Sequence, residues 1–166
     1  MEGSIAIDAE TKVHESPADH KDELRLWLRL LASTTLIERE VRGRLREQFG
    51  VTLPRFDLMA QLDRSPQGMT LGELSRRMMV TNGNVTGLTE RLVTEGVVSR
   101  RRAANDRRAH LVRLTEKGRR QFRKMAKAHE RWIAGLFAGL SKREVDELLT
   151  LLGKAKASTR NAVEKA

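Results

Sequence analysis

The spacing of apolar residues changes twice along this chain, which restricts the fold to helices around a small β-ribbon. From Asp22 to Gln48, apolar residues recur every three or four positions, the spacing of one face of a long amphipathic helix. Val97–Arg102 and His110–Thr115 are instead compatible with β-strands. Helical spacing returns from Thr115 to Leu140. The pattern predicts a mostly α protein with one two-stranded ribbon.

Three shorter helices between these segments have clear start signals. Pro54 is tolerated in the first turn of one of them. Thr70 and Glu73 have the spacing of a capping box, in which each side chain accepts a hydrogen bond from the other residue's backbone amide. Thr81 is a suitable N-cap for the third helix. The apolar stripe that we expect this third helix to bury consists of Val85, Leu88 and Leu92.

The last helix begins at a second capping box, formed by Ser141 and Glu144. Helical spacing also predicts which of its residues are buried. These are Val145, Leu148, Leu149 and Leu152.

The net charge of +10 is confined to one segment. Arg100–Arg131 contains thirteen lysines and arginines against three acidic residues, and the rest of the chain is balanced. A local excess of this kind attracts polyanions, and each cation that neutralises a phosphate releases a condensed counterion. Nucleic acid is therefore the expected partner.

Composition also excludes several classes of function. Because cysteine is absent, the chain has no disulfide, thiolate zinc site or cysteine nucleophile. It has no phosphate-binding glycine loop, zinc-ligand spacing or hydrolase motif, so we expect no catalytic residue, cofactor or metal. Residues 1–21 lack the apolar core of a signal peptide and are expected to be a disordered tail. These features predict a cytoplasmic protein that is not an enzyme and has no membrane partner.

Two short helices followed by a basic ribbon predict a winged helix-turn-helix. The second short helix would enter a DNA major groove, because its exposed face is small and polar. Glycines there let the backbone approach base edges, although they could also serve only close helix packing. The predicted DNA contacts in this segment are Thr81, Asn82, Gly83, Asn84, Thr86, Gly87 and Arg91.

The tip of the ribbon is the second predicted DNA contact. Asp106 can accept hydrogen bonds from nearby amides and pair with Arg108, which stiffens the tip and leaves Arg107 projecting. An arginine in a narrow minor groove responds to its concentrated negative potential. We therefore assign Arg107 and Arg108 to DNA binding and Asp106 to stabilising the wing. The alternative is a basic hairpin that is merely solvated.

In order and spacing, these segments resemble the MarR family of transcriptional regulators. The resemblance covers about Leu24–Leu152, and its most specific parts are Leu71–Met78, Val80–Leu88 and Asn105–Arg108 followed by Leu114–Gly118. It implies a homodimer that binds a pseudo-palindromic operator, usually as a repressor. By this resemblance, residues 22–50 and 116–166 are dimerisation helices around a DNA-binding lobe of residues 51–115. Apolar stripes on long terminal helices agree with such a dimer.

The resemblance also implies an effector, a small phenolic or aromatic carboxylate or its thioester, such as a CoA thioester, that releases DNA. The effector would occupy a cleft between the dimerisation helices and the DNA-binding lobe. The lack of cysteine excludes the cysteine-dependent peroxide-sensing branch. Candidate apolar walls are Trp27, Leu31, Met59 and Met78, and candidate anion partners are Arg25, Arg29 and His110.

Two other functions remain open from the residues alone. A non-specific architectural DNA-binding protein also needs only positive charge and a hairpin, but it would show little preference for one sequence. A small helical enzyme is the second alternative, and it would require substrate turnover that depends on an acidic side chain.

Overall fold

The computed structural model describes residues 21–102 and 110–165, which form six helices and three strands. In chain order these are α1 (Lys21–Phe49), α2 (Leu53–Asp63), β1 (Met69–Thr70), α3 (Leu71–Met78), α4 (Asn82–Thr94), β2 (Val98–Arg102), β3 (His110–Leu114), α5 (Glu116–Leu136) and α6 (Lys142–Glu164). The mostly α prediction is confirmed. The expected disordered tail, apart from Lys21, and the tip of the ribbon lie outside the described residues.

The chain divides into two compact units, Met1–His129 and Glu130–Ala166. The first unit contains the apolar core, to which α1 to α5 and the sheet all contribute. Its fully buried side chains are Leu45, Leu58, Met59, Leu62, Leu74, Val85, Leu92, Val97, Val98 and Val112. The division of function at residue 116 stays a prediction, because the compact unit continues along α5 to His129.

The sheet has three strands rather than the two predicted. They are arranged in the order β1-β3-β2 with every neighbouring pair antiparallel, and Met69 lies opposite Val112. Gly68 makes this pairing possible, because it has a φ of +94° and a Cβ there would lie 2.9 Å from the carbonyl oxygen of Val112. A strand of two residues is too short to show alternation, so the sequence pattern does not predict β1.

Both predicted capping boxes are confirmed. The Thr70 hydroxyl accepts from the Glu73 amide at 3.2 Å, and the Glu73 carboxylate accepts from the Thr70 amide at 2.7 Å. This backbone hydrogen bond, together with a second one from the Thr70 hydroxyl, lowers the pKa of Glu73. Ser141 and Glu144 make the same two contacts at the start of α6. The box at Thr70 fixes where the first helix of the helix-turn-helix begins.

Burial is the main cause of a shifted pKa at two partly buried groups of the first unit. The imidazole of His129 packs on the ring of Phe56, with centroids 4.9 Å apart, and burial lowers the pKa of His129. Burial also raises the pKa of Asp57, and the nearby Glu38 carboxylate adds to the shift while Arg42 opposes it. Desolvation disfavours the charged form in both cases, so each group is a source of pH-dependent stability.

The predicted burial of the last helix is wrong for the single chain. None of the residues of α6 is buried, and Leu148, Leu149 and Leu152 are between 41% and 65% exposed. The N-terminal half of α1 shows the same property, with Trp27 55% exposed. An amphipathic helix gains most of its stability by packing its apolar face. In the single chain, the apolar faces of α6 and of the N-terminal half of α1 remain in solvent.

Candidate nucleic-acid interface

The turn between α3 and α4 is closed by local hydrogen bonds. Met79 takes the left-handed conformation with a φ of 54°, which ends α3. The amide of Val80 then donates to the carbonyl of Ser75 at 3.2 Å, and the Ser75 hydroxyl donates to the carbonyl of Val80 at 2.5 Å. The Thr81 hydroxyl accepts from the amide of Asn84 at 3.4 Å, confirming Thr81 as the N-cap. These contacts fix where α4 begins.

The buried stripe of α4 differs in one residue from the prediction. Val85 and Leu92 are fully buried, but Thr89 is buried with them, whereas Leu88 is only partly covered. The spacing i, i+4, i+7 brings Thr89 to the core, so the helix is rotated slightly from the predicted orientation. Threonine carries a methyl group that can pack in a core, but Thr89 is not one of the apolar residues from which the buried stripe is predicted.

The exposed face of α4 contains the predicted DNA-contacting residues. Asn82, Gly83, Asn84 and Arg91 are exposed, and the rest of this set is at least partly so. A Cβ placed at Gly83 or Gly87 would meet nothing within 4 Å. Packing within the chain therefore does not require either glycine. This removes close helix packing within the described chain as the reason for these two residues.

The C-terminal end of α4 is fixed to the start of α5. The Thr115 hydroxyl donates to the carbonyl of Gly96 at 2.8 Å and accepts from the amide of Gly118 at 3.1 Å. A Cβ at Gly118 would collide with the carbonyl oxygen of Val97. The close approach of these two backbones holds the loop after α4 against α5.

The wing consists of β2 and β3 in antiparallel register, with Arg100 opposite Val112 and Arg101 opposite Leu111. Arg100 and Arg101 are both exposed. The predicted DNA contacts Arg107 and Arg108 and the stabilising residue Asp106 lie in residues 103–109, outside the described residues, so their roles stay predictions.

A groove of about 520 Å³ lies beside α4 and combines positive charge with apolar walls. Its cations are Arg42 and Arg46 of α1 and Arg91 of α4. The other lining residues are Thr52, Leu53, Pro54, Met78, Val80, Gly83, Asn84, Val85, Gly87 and Leu88. The groove therefore shares Gly83, Asn84, Gly87 and Arg91 with the predicted DNA-contacting set.

Of the seven residues predicted to line an effector pocket, Met78 alone lines this groove of the described chain. Met59 has no exposed surface, because it belongs to the core, and its prediction as a wall of an open cleft is wrong. The remaining predicted residues lie near the start of α1 or at the first position of β3, and they are Arg25, Trp27, Arg29, Leu31 and His110.

The groove residues Arg42, Arg46 and Leu53 were missed by sequence reasoning. Arg42 and Arg46 come from α1 and Leu53 from α2, and only the fold brings them beside α4. Within the described ranges, no group of three acidic, histidine or cysteine side chains is arranged to hold a metal ion. No helix in that part of the chain has the length and apolar character needed to cross a bilayer. The cytoplasmic location stays a prediction.

The fold and the exposed helix define a winged helix-turn-helix protein, and comparisons with known proteins agree. The MarR family model matches residues 51–110. The uncharacterized HTH-type transcriptional regulator YkoM of Bacillus subtilis is 36% identical over 92 residues, which cover 55% of this chain and 58% of YkoM. The chain thus matches less than two thirds of the length of this curated relative.

Solved structures extend the match over most of the chain. A MarR family transcriptional regulator from Silicibacter pomeroyi is 33% identical with a TM-score of 0.67, covering 90% of this chain and 99% of that one. A MarR mutant from E. coli complexed with operator DNA has a TM-score of 0.70 at 24% identity, covering 84% and 99%, which supports the fold. The chain belongs to the MarR family. Its relatives and structural neighbours are transcriptional regulators rather than enzymes.

Proposed function

We propose that this protein is a sequence-specific DNA-binding regulator that places α4 in the major groove of its operator. The observation that carries the proposal is the exposed face of α4, where Gly83 and Gly87 leave the helix backbone uncovered by side chains. Packing within the described chain does not require glycine at either position. Gly87 lies in the middle of α4, where a glycine costs about 1 kcal/mol relative to alanine, so a function outside the chain accounts for it. The proposed contacts are Thr81, Asn82, Gly83, Asn84, Thr86, Gly87 and Arg91.

The wing supplies the second part of the proposed interface. Arg107 would enter the adjacent minor groove, and Arg108 would add a second DNA contact. Asp106 would stabilise the tip by pairing with Arg108. The basic segment Arg100–Arg131 supports this, because its charge favours a phosphate backbone.

The proposed functional unit is a homodimer. The exposed leucines of α6 and the exposed Trp27 and Leu31 of α1 are apolar faces that a second copy of the chain can cover. A two-fold axis would present two copies of α4 to half-sites about 10 bp apart, which makes a pseudo-palindromic operator the expected target. Bound across a promoter, such a dimer represses by excluding other proteins.

The groove beside α4 supports regulation by a small aromatic or phenolic carboxylate, or a CoA thioester of one. Its volume of about 520 Å³ suits a small molecule, its walls are largely apolar, and three arginines can pair with a carboxylate. Gly83, Asn84, Gly87 and Arg91 belong to both the groove and the proposed DNA interface. An effector bound there would disfavour the DNA-bound position of α4, in proportion to its differential affinity.

Operator selection tests the DNA-binding proposal. Duplexes enriched from random sequence should bind at least about a thousandfold more tightly than unselected DNA at matched salt. Arg107→Ala should weaken binding and reduce the slope of affinity against salt by about one unit. Equal affinity for selected and unselected DNA would instead indicate an architectural protein.

Thermal denaturation with benzoate or 2-hydroxybenzoate tests the effector class. A ligand of the folded state raises the melting temperature, and Arg46→Ala should reduce this rise. Arg64→Ala is the matched control, because Arg64 is an exposed arginine that does not line the groove. No rise with either compound in the unaltered protein would contradict the assignment of this ligand class.

A further inference from the structure

An ion pair joins the C-terminal end of α4 to α2. The Nη2 atom of Arg55 lies 2.5 Å from the Oε2 atom of Glu95, the residue that caps α4. The Arg55 side chain is 20% exposed and the Glu95 side chain 44% exposed. Pairs such as Arg44 with Glu40 connect neighbouring turns of one helix. The pair between Arg55 and Glu95 instead connects two elements that are distant in sequence.

Glu95 is also held through its backbone. The ammonium group of Lys117 donates to the carbonyl of Glu95 at 2.8 Å. The next residue, Gly96, accepts from the Thr115 hydroxyl. Side-chain and backbone contacts therefore fix the same end of α4 to α2 and to α5.

The fixed end controls the direction in which α4 points. Thirteen residues of α-helix span about 20 Å, so a tilt of 5° about one end moves the other by roughly 1.7 Å. Hydrogen bonds to base edges lose most of their strength over a much smaller displacement. A contact that orients α4 therefore affects discrimination between sequences more than it affects global stability.

Both partners of the ion pair adjoin the groove. Arg55 directly follows Pro54, and Glu95 lies one turn after Arg91, and both of those residues line it. The ion pair thus joins α2 to α4, two helices that each contribute residues to the groove, one turn beyond the proposed DNA contact Arg91.

We propose that Arg55 and Glu95 are positioning residues for operator recognition, acting through their ion pair rather than by touching DNA. This inference rests on the proposed function of α4 as the DNA-contacting helix. The pair sets the orientation of α4 relative to α2, so its loss should reduce affinity for the operator more than affinity for unrelated DNA.

The direction in which two single substitutions change operator affinity distinguishes a positioning role from a purely electrostatic one. If the pair positions α4, Arg55→Ala and Glu95→Ala should each weaken operator binding by about three- to tenfold, which lies within the range of coupling expected for contacting residues. Each should leave affinity for unselected DNA within about twofold. If only charge matters, Glu95→Ala would instead tighten binding to both kinds of DNA, because it removes a negative charge. That opposite sign would overturn the inference.

The reciprocal double variant Arg55→Glu with Glu95→Arg provides the rescue test. It keeps the net charge and restores the pair in reverse, so operator affinity should return to within about twofold of the unaltered protein. Failure of this rescue, in a variant that melts at the normal temperature, would contradict the positioning role. The rescue also remains informative if a single variant is poorly folded.

Arg64→Ala and Glu47→Ala are the charge-matched controls, since both residues are exposed. They should change operator and unselected DNA affinity by the same factor. If the unaltered protein shows no operator preference, the proposed function fails and this inference fails with it. If the preference is present but the two single variants act with opposite signs, the positioning inference alone fails.

Discussion

Gly87 offers the sharpest separation of folding from DNA binding. In the middle of α4 its backbone is helical, and a Cβ placed there would meet nothing within 4 Å. Leucine is a strong helix former, so Gly87→Leu should not disturb the fold. The same side chain would stand between α4 and the base edges. The variant should therefore fold at least as well as the unaltered protein and fail to bind the operator.

Gly87→Leu should change folding stability and operator affinity in opposite directions. Replacing a mid-helix glycine by leucine or alanine should raise the free energy of unfolding by up to about 1 kcal/mol. In a chain of this size, 1 kcal/mol corresponds to a rise in melting temperature of about 2–4 °C. Operator affinity should fall toward the non-specific level, a loss of about a thousandfold or more. Gly87→Ala should give the same stability with a smaller loss of affinity.

Urea denaturation and fluorescence anisotropy with the selected operator measure the two effects. Gly43→Ala is the matched control, because Gly43 also lies within a helix and has no neighbour within 4 Å of a Cβ. It should gain stability without losing affinity. If Gly87→Leu bound the operator normally, α4 would not present this face to DNA. If Gly87→Leu bound the operator normally but showed no rise in melting temperature with benzoate, the role of Gly87 would be in ligand binding by the groove instead.

Four further substitutions test other parts of the structure. Gly118→Ala should lower the free energy of unfolding by about 1–3 kcal/mol, because its Cβ collides with the carbonyl of Val97; unchanged urea denaturation would contradict this close approach. Burial raises the pKa of Asp57, so Asp57→Asn should stabilise the fold at pH 7, and this gain in stability should shrink as pH falls toward 4. A gain in stability that did not depend on pH would show that the buried charge of Asp57 is not its cause. Burial lowers the pKa of His129, so the neutral imidazole contributes to the stability of the fold above pH 6.5, and this contribution is lost as pH falls through the lowered pKa. His129→Phe should remove this part of the loss of stability between pH 7.5 and 5. Leu149→Glu should shift the proposed dimer to a monomer in sedimentation analysis, whereas a merely solvated Leu149 would leave the assembly unchanged.

Sequence reasoning succeeded where the determining interactions are local. The capping box at Thr70 depends on two side chains three residues apart, so the sequence contains all of its parts. β1 depends on a distant partner, because Met69 pairs with Val112 only after the chain has returned alongside it. The position of Thr89 depends on the rotation of α4 against the core, which apolar spacing determines only to within about one residue.

The same distinction applies to the candidate sites. The proposed DNA-contacting face lies on a single helix, and so its residues could be selected from one short segment. The groove draws Arg42, Leu53, Met78 and Arg91 from separate elements, and no spacing in the sequence connects them. The ion pair of Arg55 with Glu95 was missed for that reason as well.

The exposed apolar faces connect DNA recognition to assembly. α6 has no buried residue in the single chain, and in proteins most of the stability of a helix comes from packing its apolar face. Covering this face with a second copy would therefore stabilise α6 and the dimer together. By the proposed function, one DNA-binding lobe would contact a single half-site. The proposed dimer would fix two lobes at a set spacing, so the second contact would be made at a high effective concentration. Operator occupancy should consequently depend on protein concentration through the dimerisation equilibrium, even though α6 contributes no proposed DNA contact.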